Sequence, residues 1–128
     1  MYSISQTAEA CGLTVKAVRY YADIGLLKEA TRSEAGYRLY DDDSIETLTF
    51  VRRARDFGFS IPQCRELLEL FHAPDRTSSQ VKSLAQSHLE RLEKQRQELS
   101  QLCDSLKELV DACPGDSNAA CPIIDRLT

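Results

Sequence analysis

The stretch Ser3-Ile4-Ser5-Gln6-Thr7-Ala8-Glu9-Ala10-Cys11-Gly12-Leu13-Thr14-Val15-Lys16-Ala17-Val18-Arg19-Tyr20-Tyr21-Ala22-Asp23-Ile24-Gly25 decides the fold. It reads as two short helices around a tight corner. Ser3 and Ser5 are N-cap residues, since a serine oxygen accepts from the otherwise unpaired amides of a first turn. Ile4, Ala8 and Cys11 then recur at helical intervals. Gly12 supplies a permissive corner and Leu13 turns into the core. Thr14 caps a second helix over residues 15–24, which Gly25 ends. Two short helices joined by a glycine turn are a helix-turn-helix candidate, although αα-corners with no role on DNA look alike.

Beyond this corner, residues 28–40 lose the helical period. Ser33-Glu34-Ala35-Gly36 is turn chemistry, and Tyr37-Arg38-Leu39-Tyr40 alternates, which predicts a β-hairpin. Asp41 caps a third helix to about residue 57, with Ile45, Leu48, Val51 and Ala54 on one face and Gly58 as its stop. Ser60-Ile61-Pro62-Gln63 is a capping box with proline in the first turn. Cys64, Leu67, Leu68 and Phe71 give the following helix a buried stripe.

After a break at His72-Ala73-Pro74-Asp75, residues 78–110 contain neither Pro nor Gly, and one long helix is expected. At 1.5 Å per residue it spans roughly 50 Å. One heptad column holds Ala85, Leu92, Leu99, Leu106 and Cys113; the other holds His88, Gln95, Leu102 and Leu109. The polar positions favour a two-stranded coil, with His88 as a register-setting contact. No other segment is long enough to cover this seam. A second copy is the simplest cover, so a homodimer through Leu92, Leu99, Leu102, Leu106 and Leu109 is expected, with packing back on residues 61–71 as a partial alternative. The chain closes with two Cys-Pro dipeptides around a seven-residue loop, and Pro122 suits the first position of a short final helix.

The expected fold is therefore mainly α. A winged helix-turn-helix with a small β-hairpin wing occupies residues 1–71, a linker and coiled-coil dimerisation helix residues 72–110, and a loop between two cysteines, a candidate metal-binding loop, with a short terminal helix residues 111–128. A length of 128 residues bounds this to about one domain. No long apolar run or leader-like stretch stands out, so a cytoplasmic chain with no membrane partner is expected. Five cysteines argue against a complete disulfide framework and for free thiols in a reducing compartment. The net charge of −4 speaks against a generic nucleic-acid binder, but the charges are not evenly spread. Residues 12–40 hold Lys16, Arg19, Lys28, Arg32 and Arg38 against Asp23, Glu29 and Glu34, whereas residues 61–128 hold eight basic and eleven acidic side chains.

Chemistry concentrates at two places. Cys113 and Cys121 can form a disulfide, bind a metal between two sulfurs, or stand as unrelated buried thiols. Structural zinc wants four N or S ligands, and the only histidines, His72 and His88, lie outside the loop. Cu(I) or Ag(I) is satisfied by two soft thiolates. A sulfur at the N-cap of the last helix sits at the positive end of a helix dipole, which favours the thiolate. A two-thiolate Cu(I) unit carries one net negative charge, and Lys82 of a second copy is the candidate to offset it. Cys11, Cys64 and Cys103 read as small buried hydrophobes, and His72 as an exposed loop residue.

On the second helix, Thr14, Lys16, Arg19 and Tyr20 form the candidate DNA-reading set, with Val18 turned inward. Arg19 suits guanine or phosphate. The hairpin adds Arg32, Tyr37 and Arg38 for flanking backbone, and Arg52, Arg53 and Arg55 extend the strip. Singly each is ordinary surface charge; together, on a helix-turn-helix with a wing, they point to double-stranded DNA.

Several of these runs carry a likeness. Arg19-Tyr20-Tyr21, Gly25-Leu26-Leu27, the run from Arg32 through Gly36-Tyr37-Arg38-Leu39-Tyr40, and Arg53-Ala54-Arg55-Asp56-Phe57-Gly58-Phe59 closely resemble the MerR family of transcriptional regulators. The tail, from Ala112-Cys113-Pro114-Gly115-Asp116 to Cys121-Pro122-Ile123-Ile124, is similar to the metal loop of that family's copper-, silver- and gold-sensing members. The resemblance implies a homodimer with an antiparallel coil, and one Cu(I), Ag(I) or Au(I) ion held linearly by Cys113 and Cys121 of each loop. Divalent sensors of the family bring a third cysteine from the partner's long helix; Ser78, with Ser79 beside it, stands there in this sequence, which favours monovalent ions. It further implies a dyad-symmetric operator with an over-long promoter spacer, bent and untwisted in the metal-bound state so that RNA polymerase engages both elements, an indirect readout of DNA shape. Rival readings are a dithiol copper carrier or redox protein, a redox-sensing regulator, and a divalent-metal sensor. An enzyme is not expected, because no nucleophile–base pair, phosphate loop or carboxylate constellation is present.

Overall fold

Four N-caps set the frame of the first four helices, and each is a short polar side chain at an extended residue. In the computed structural model, which describes residues 1–128, the order is α1 (Ile4–Cys11), α2 (Val15–Asp23), β1 (Thr31–Arg32), β2 (Arg38–Leu39), α3 (Asp42–Asp56), α4 (Ile61–His72), α5 (Ser78–Ala112) and α6 (Pro122–Leu127). Ser3 and Ser60 close reciprocal capping boxes with Gln6 and Gln63, while Thr14 and Asp41 accept from Ala17 and Ser44 amides. The two chemically open choices at the N-terminus resolve to Ser3, because only from there does Gln6 reach back to complete the box. The chain divides into two units, Met1–Val81 and Lys82–Thr128.

In the first unit α1 packs on α2 and α3, and α3 packs on α4. The corner between α1 and α2 is made by Gly12 at φ +71°, a conformation that L side chains avoid. A Cβ there would also meet Arg52 Nε at 3.3 Å, so glycine serves both the turn and the close approach of α3. The core is Ala8, Cys11, Val18, Tyr21, Tyr40, Leu48, Val51, Ala54, Cys64, Leu67 and Leu68. Each fully buried aliphatic side chain such as Val18 or Leu48 contributes on the order of 1.5–3 kcal/mol. Phe71, expected inside the α4 stripe, is only half-buried and stacks on Phe50 with centroids 4.7 Å apart. His72 is exposed as expected, at the last position of α4 instead of in a loop.

The wing pairs Thr31 with Leu39 and Arg32 with Arg38 in antiparallel register. Its base is extended by a bridge that sequence reading did not anticipate: Tyr2 N–H donates to Tyr40 C=O at 2.7 Å, and Tyr40 N–H to Tyr2 C=O at 2.8 Å. The N-terminal residues thereby join the wing to α1.

The second unit contains most of α5, then the loop, then α6. Thr77 caps α5 by a reciprocal pair with Gln80, at 2.9 and 3.2 Å. The helix has 35 residues, so it extends roughly 50 Å. Among the seam residues, Leu92, Leu99, Leu102 and Leu106 are exposed in the single chain and Leu109 is half-buried. His88 departs from expectation: instead of waiting open on the seam, it is 5% exposed within one chain. Cys103, expected to pack like a small hydrophobe, is exposed, since the single chain offers no core around it. No helix is long and apolar enough to cross a membrane.

Candidate functional site

Two candidate sites are built by these elements, one in each unit. On α2 the buried Val18 and Tyr21 fix the inward side, leaving Lys16, Arg19 and Tyr20 exposed on the outward one. Thr14 is exposed too, but its Oγ1 already accepts the Ala17 amide at 3.0 Å. On the wing, Arg32 Nη1 donates to Gly36 C=O at 2.9 Å, tightening the turn, and Tyr37 projects with 74% of its surface exposed.

The structure brings α2 and the wing to one surface. Ser3, Ile4, Arg19, Arg32, Tyr37 and Arg38 line a common concavity of about 490 Å³. Arg38 Nη2 lies 2.8 Å from Asp23 Oδ1, an ion pair that ties the wing to the end of α2. Sequence reading placed Arg38 on the DNA-facing set and passed over Asp23; the two are far apart in sequence, so only the folded hairpin reveals them as neighbours. Lys28 is likewise engaged, with Asp41 at 3.1 Å and Asp43 at 3.3 Å. The Ser44 amide and then Lys28 hold the Asp41 carboxyl down to about 2.

The α3 arginines have separate partners. Arg55 Nη1 donates to the Phe59 carbonyl at 2.9 Å, Arg52 pairs with Asp56 at 3.6 Å while covering Gly12, and Arg53 is exposed beside an apolar groove. Arg55 thus already closes the end of α3, which any contact with a ligand must share.

In the second unit the two thiols meet. α5 ends where the Cys113 amide donates to Val110 C=O at 3.2 Å, and Pro114 bars its continuation. Cys121 is the N-cap of α6, with Pro122 in its first turn. The Sγ atoms of Cys113 and Cys121 stand 3.3 Å apart, both thiols free and half-buried. That separation exceeds the ~2.05 Å of a disulfide bond. The Ile124 amide, the Cys113 thiol and the Ile123 amide push the Cys121 thiol below its ordinary range, against burial and the Asp125 charge. No group of three or more His, Cys, Asp or Glu side chains is placed to hold a metal ion. A lone pair of sulfurs fits the two-coordinate demand of a soft monovalent cation and falls short of the four ligands of structural zinc.

Ser78 and Lys82 begin α5 and Cys113 follows its end. At 1.5 Å per residue they lie roughly 45 Å or more from the thiols along one helix, so either could serve the loop only from another copy. On α6, Ile124 and Leu127 are 58% and 75% exposed. Between the cysteines, Asp116 accepts from the Asn118 amide at 2.9 Å and from Asn118 Nδ2 at 3.3 Å. This clamp was passed over in the sequence, where an aspartate two residues before an amide donor is the available turn signal.

Comparison with known proteins places this geometry among relatives. Residues 2–70 match the family described as MerR HTH family regulatory protein, and residues 45–109 the family described as MerR, DNA binding. The chain is 44% identical to an uncharacterized HTH-type transcriptional regulator of Pseudomonas aeruginosa, covering 98% of this chain and 95% of the relative. It is 42% identical to the HTH-type transcriptional regulator CueR of Salmonella typhimurium, covering 98% and 91%. Among solved structures, the transcription regulator PbrR691 from Ralstonia metallidurans in complex with lead(II) superposes with a TM-score of 0.87 at 30% identity, covering 100% of both chains.

Proposed function

The chain belongs to the MerR family of helix-turn-helix regulatory proteins, and from that premise we propose that it is a homodimeric, metal-responsive transcriptional regulator sensing Cu(I), Ag(I) or Au(I). Its relatives are regulators, not enzymes. The observation that carries the reading is the Cys113 and Cys121 pair, 3.3 Å apart with no third ligand group beside it.

Two thiolates satisfy one soft monovalent ion, and the Ile124 and Ile123 amides at the start of α6 favour the anionic form of Cys121. Ser78 at the head of α5 withholds the third sulfur that a divalent ion would recruit, and Lys82 of the partner offsets the negative charge of the loaded pair. The exposed leucines of α5 support the coil as dimer contact: Leu92, Leu99, Leu102 and Leu106, with Leu109 beside them. A dimer places two reading heads on a dyad-symmetric operator. In each, Lys16, Arg19 and Tyr20 face the groove from α2, Thr14 approaches from its cap, and Arg32, Tyr37, Arg38 and Arg55 grip flanking phosphates.

The coupling runs through α6. Binding of the ion between the two sulfurs holds α6 in place, so that its Ile123, Ile124 and Leu127 dock on the coil, and the ion moves the equilibrium by its differential affinity for the two states. The favoured state distorts an over-long promoter spacer so that RNA polymerase engages it, protein contacts offsetting the deformation of DNA.

The test is in vitro transcription with Cu(I), Ag(I), Au(I), Zn(II) and Hg(II), on the wild type and on Cys113→Ser. The three monovalent ions are expected to activate the wild type and not the variant. Activation by Zn(II) alone, or a normal response of Cys113→Ser, sinks the assignment. The same short sulfur contact also favours a second reading, a dithiol redox switch; activation by a disulfide oxidant with metal excluded would select it.

A further inference from the structure

The loop that presents the two thiols has little to hold it. Residues 114–120 are exposed throughout, so no buried side chain anchors them. Its two ends are fixed, at Cys113 by the last turn of α5 and at Cys121 by the first turn of α6, whose Asp125 amide donates to Cys121 C=O at 3.1 Å. Fixed ends alone leave seven residues free to splay. Gly115 enters the loop at φ +64°, where a side chain would be strained. Asp116 then spends both carboxylate oxygens on a single neighbour: Oδ1 accepts the Asn118 amide at 2.9 Å and Oδ2 accepts Asn118 Nδ2 at 3.3 Å.

We infer that Asp116 is the positioning residue of the two-thiol site: by clamping Asn118 it shortens the loop and holds the Cys113 and Cys121 sulfurs within reach of one ion. Pre-forming the loop removes an ordering cost from binding. The inference rests on the two-thiol reading given above, but the juxtaposition of the sulfurs can be measured without any metal.

The experiment compares Asp116→Ala, Asp116→Asn and Asn118→Ala with the wild type in two readouts. The first is Cu(I) affinity, by competition with a chromophoric Cu(I) chelator. The second is the rate at which oxidised glutathione closes the disulfide. In that exchange Cys113 and Cys121 are oxidised to one disulfide while the glutathione disulfide is reduced to two thiols, and the closing step reports how often the sulfurs meet. Loss of two exposed hydrogen bonds in Asp116→Ala is expected to weaken Cu(I) binding and slow ring closure by about tenfold each, with Asn118→Ala near threefold. Asp116→Asn keeps an acceptor for the Asn118 amide and loses only the bond from Asn118 Nδ2, so it should fall near Asn118→Ala, about threefold below the wild type. Equal affinity and closure rate in Asp116→Ala and the wild type overturn the clamp, as does an Asp116→Asn variant as weak as Asp116→Ala. Slower closure in Asp116→Ala with no Cu(I) binding by any protein, wild type included, upholds the clamp and sinks the metal reading. Thermal unfolding of the three variants, expected unchanged for an exposed loop, shows that each is folded.

Discussion

The two units of this chain differ in how they deal with apolar surface. In the first, Val18, Leu48, Val51 and Cys64 are wholly buried by α1 to α4 of the same unit. In the second, Leu99, Leu102 and Leu106 stand 61%, 68% and 56% exposed. The reading head completes its own core; the helix that follows leaves its leucines for something else. A helix is stable in water mainly by packing one face, and the leucines from Leu92 to Leu106 leave that face of α5 open in the single chain. The difference teaches where a second copy would act under the proposed dimer: on the long helix, not in making the first unit fold.

The sharpest way to break that comparison is in the closed core. Leu48→Ala should cost about 4 kcal/mol by removing a fully buried side chain and leaving a cavity. Urea denaturation should show the loss to be independent of protein concentration, since Leu48 is already wholly buried within one chain. A concentration-dependent loss would mean that the first unit borrows stability from the dimer.

The matching change on the open face is Leu102→Ala. The side chain is exposed in one chain, so the intrinsic fold should hardly respond. If the seam meets a second copy, both chains lose a buried leucine, and dimer affinity should fall by about 3 kcal/mol, roughly two orders of magnitude. Analytical ultracentrifugation across dilution reads this directly. Identical dissociation curves for variant and wild type would remove Leu102 from the interface.

How much of this was legible beforehand divides along the same line. Local signals read true: the Ser60 and Gln63 box, the Asp41 cap, the Gly12 corner and the length of α5 are each set by residues within a few positions of one another. What escaped depends on contacts across the chain. The Tyr2 and Tyr40 bridge and the pair of Arg38 with Asp23 join residues that no periodicity connects. His88 and Cys103 went astray for a related reason. A heptad column tells which residues share a face, not whether the single chain already covers it, and it buries the first and exposes the second. The thiol pair was visible as two Cys-Pro dipeptides, whereas its 3.3 Å approach needed the fold.

A smaller effect tests the caps of the closed unit. Asp41→Ala should lower stability by about 1 kcal/mol through the lost N-cap of α3. Its acid dependence has a definite sign. The folded carboxyl sits at about 2, below its ordinary 3.8, so its contribution is complete above about pH 4 and fades as pH falls towards 2. Across that window the wild type should lose more stability than Asp41→Ala, and parallel acid profiles in urea titrations would contradict the assignment.

The smallest change in stability, and the one that best joins fold to function, is at Arg38. Its pair with Asp23 is partly solvated, the side chains being 32% and 51% exposed. Such a pair is worth about 0.5 kcal/mol, so Arg38→Gln should leave unfolding nearly unchanged. On DNA the expectation differs. A guanidinium that grips phosphate releases counterions, and losing one contact per protomer should flatten the salt dependence of operator binding by about two in slope for a dimer. Asp23→Asn separates the roles: it breaks the same pair but keeps the cation, so stability should fall by the same small amount while the salt slope stays at its wild-type value. If Asp23→Asn flattens the slope as much as Arg38→Gln does, the arginine acts by holding the wing against α2, and the DNA contact belongs to Arg32 and Tyr37 instead.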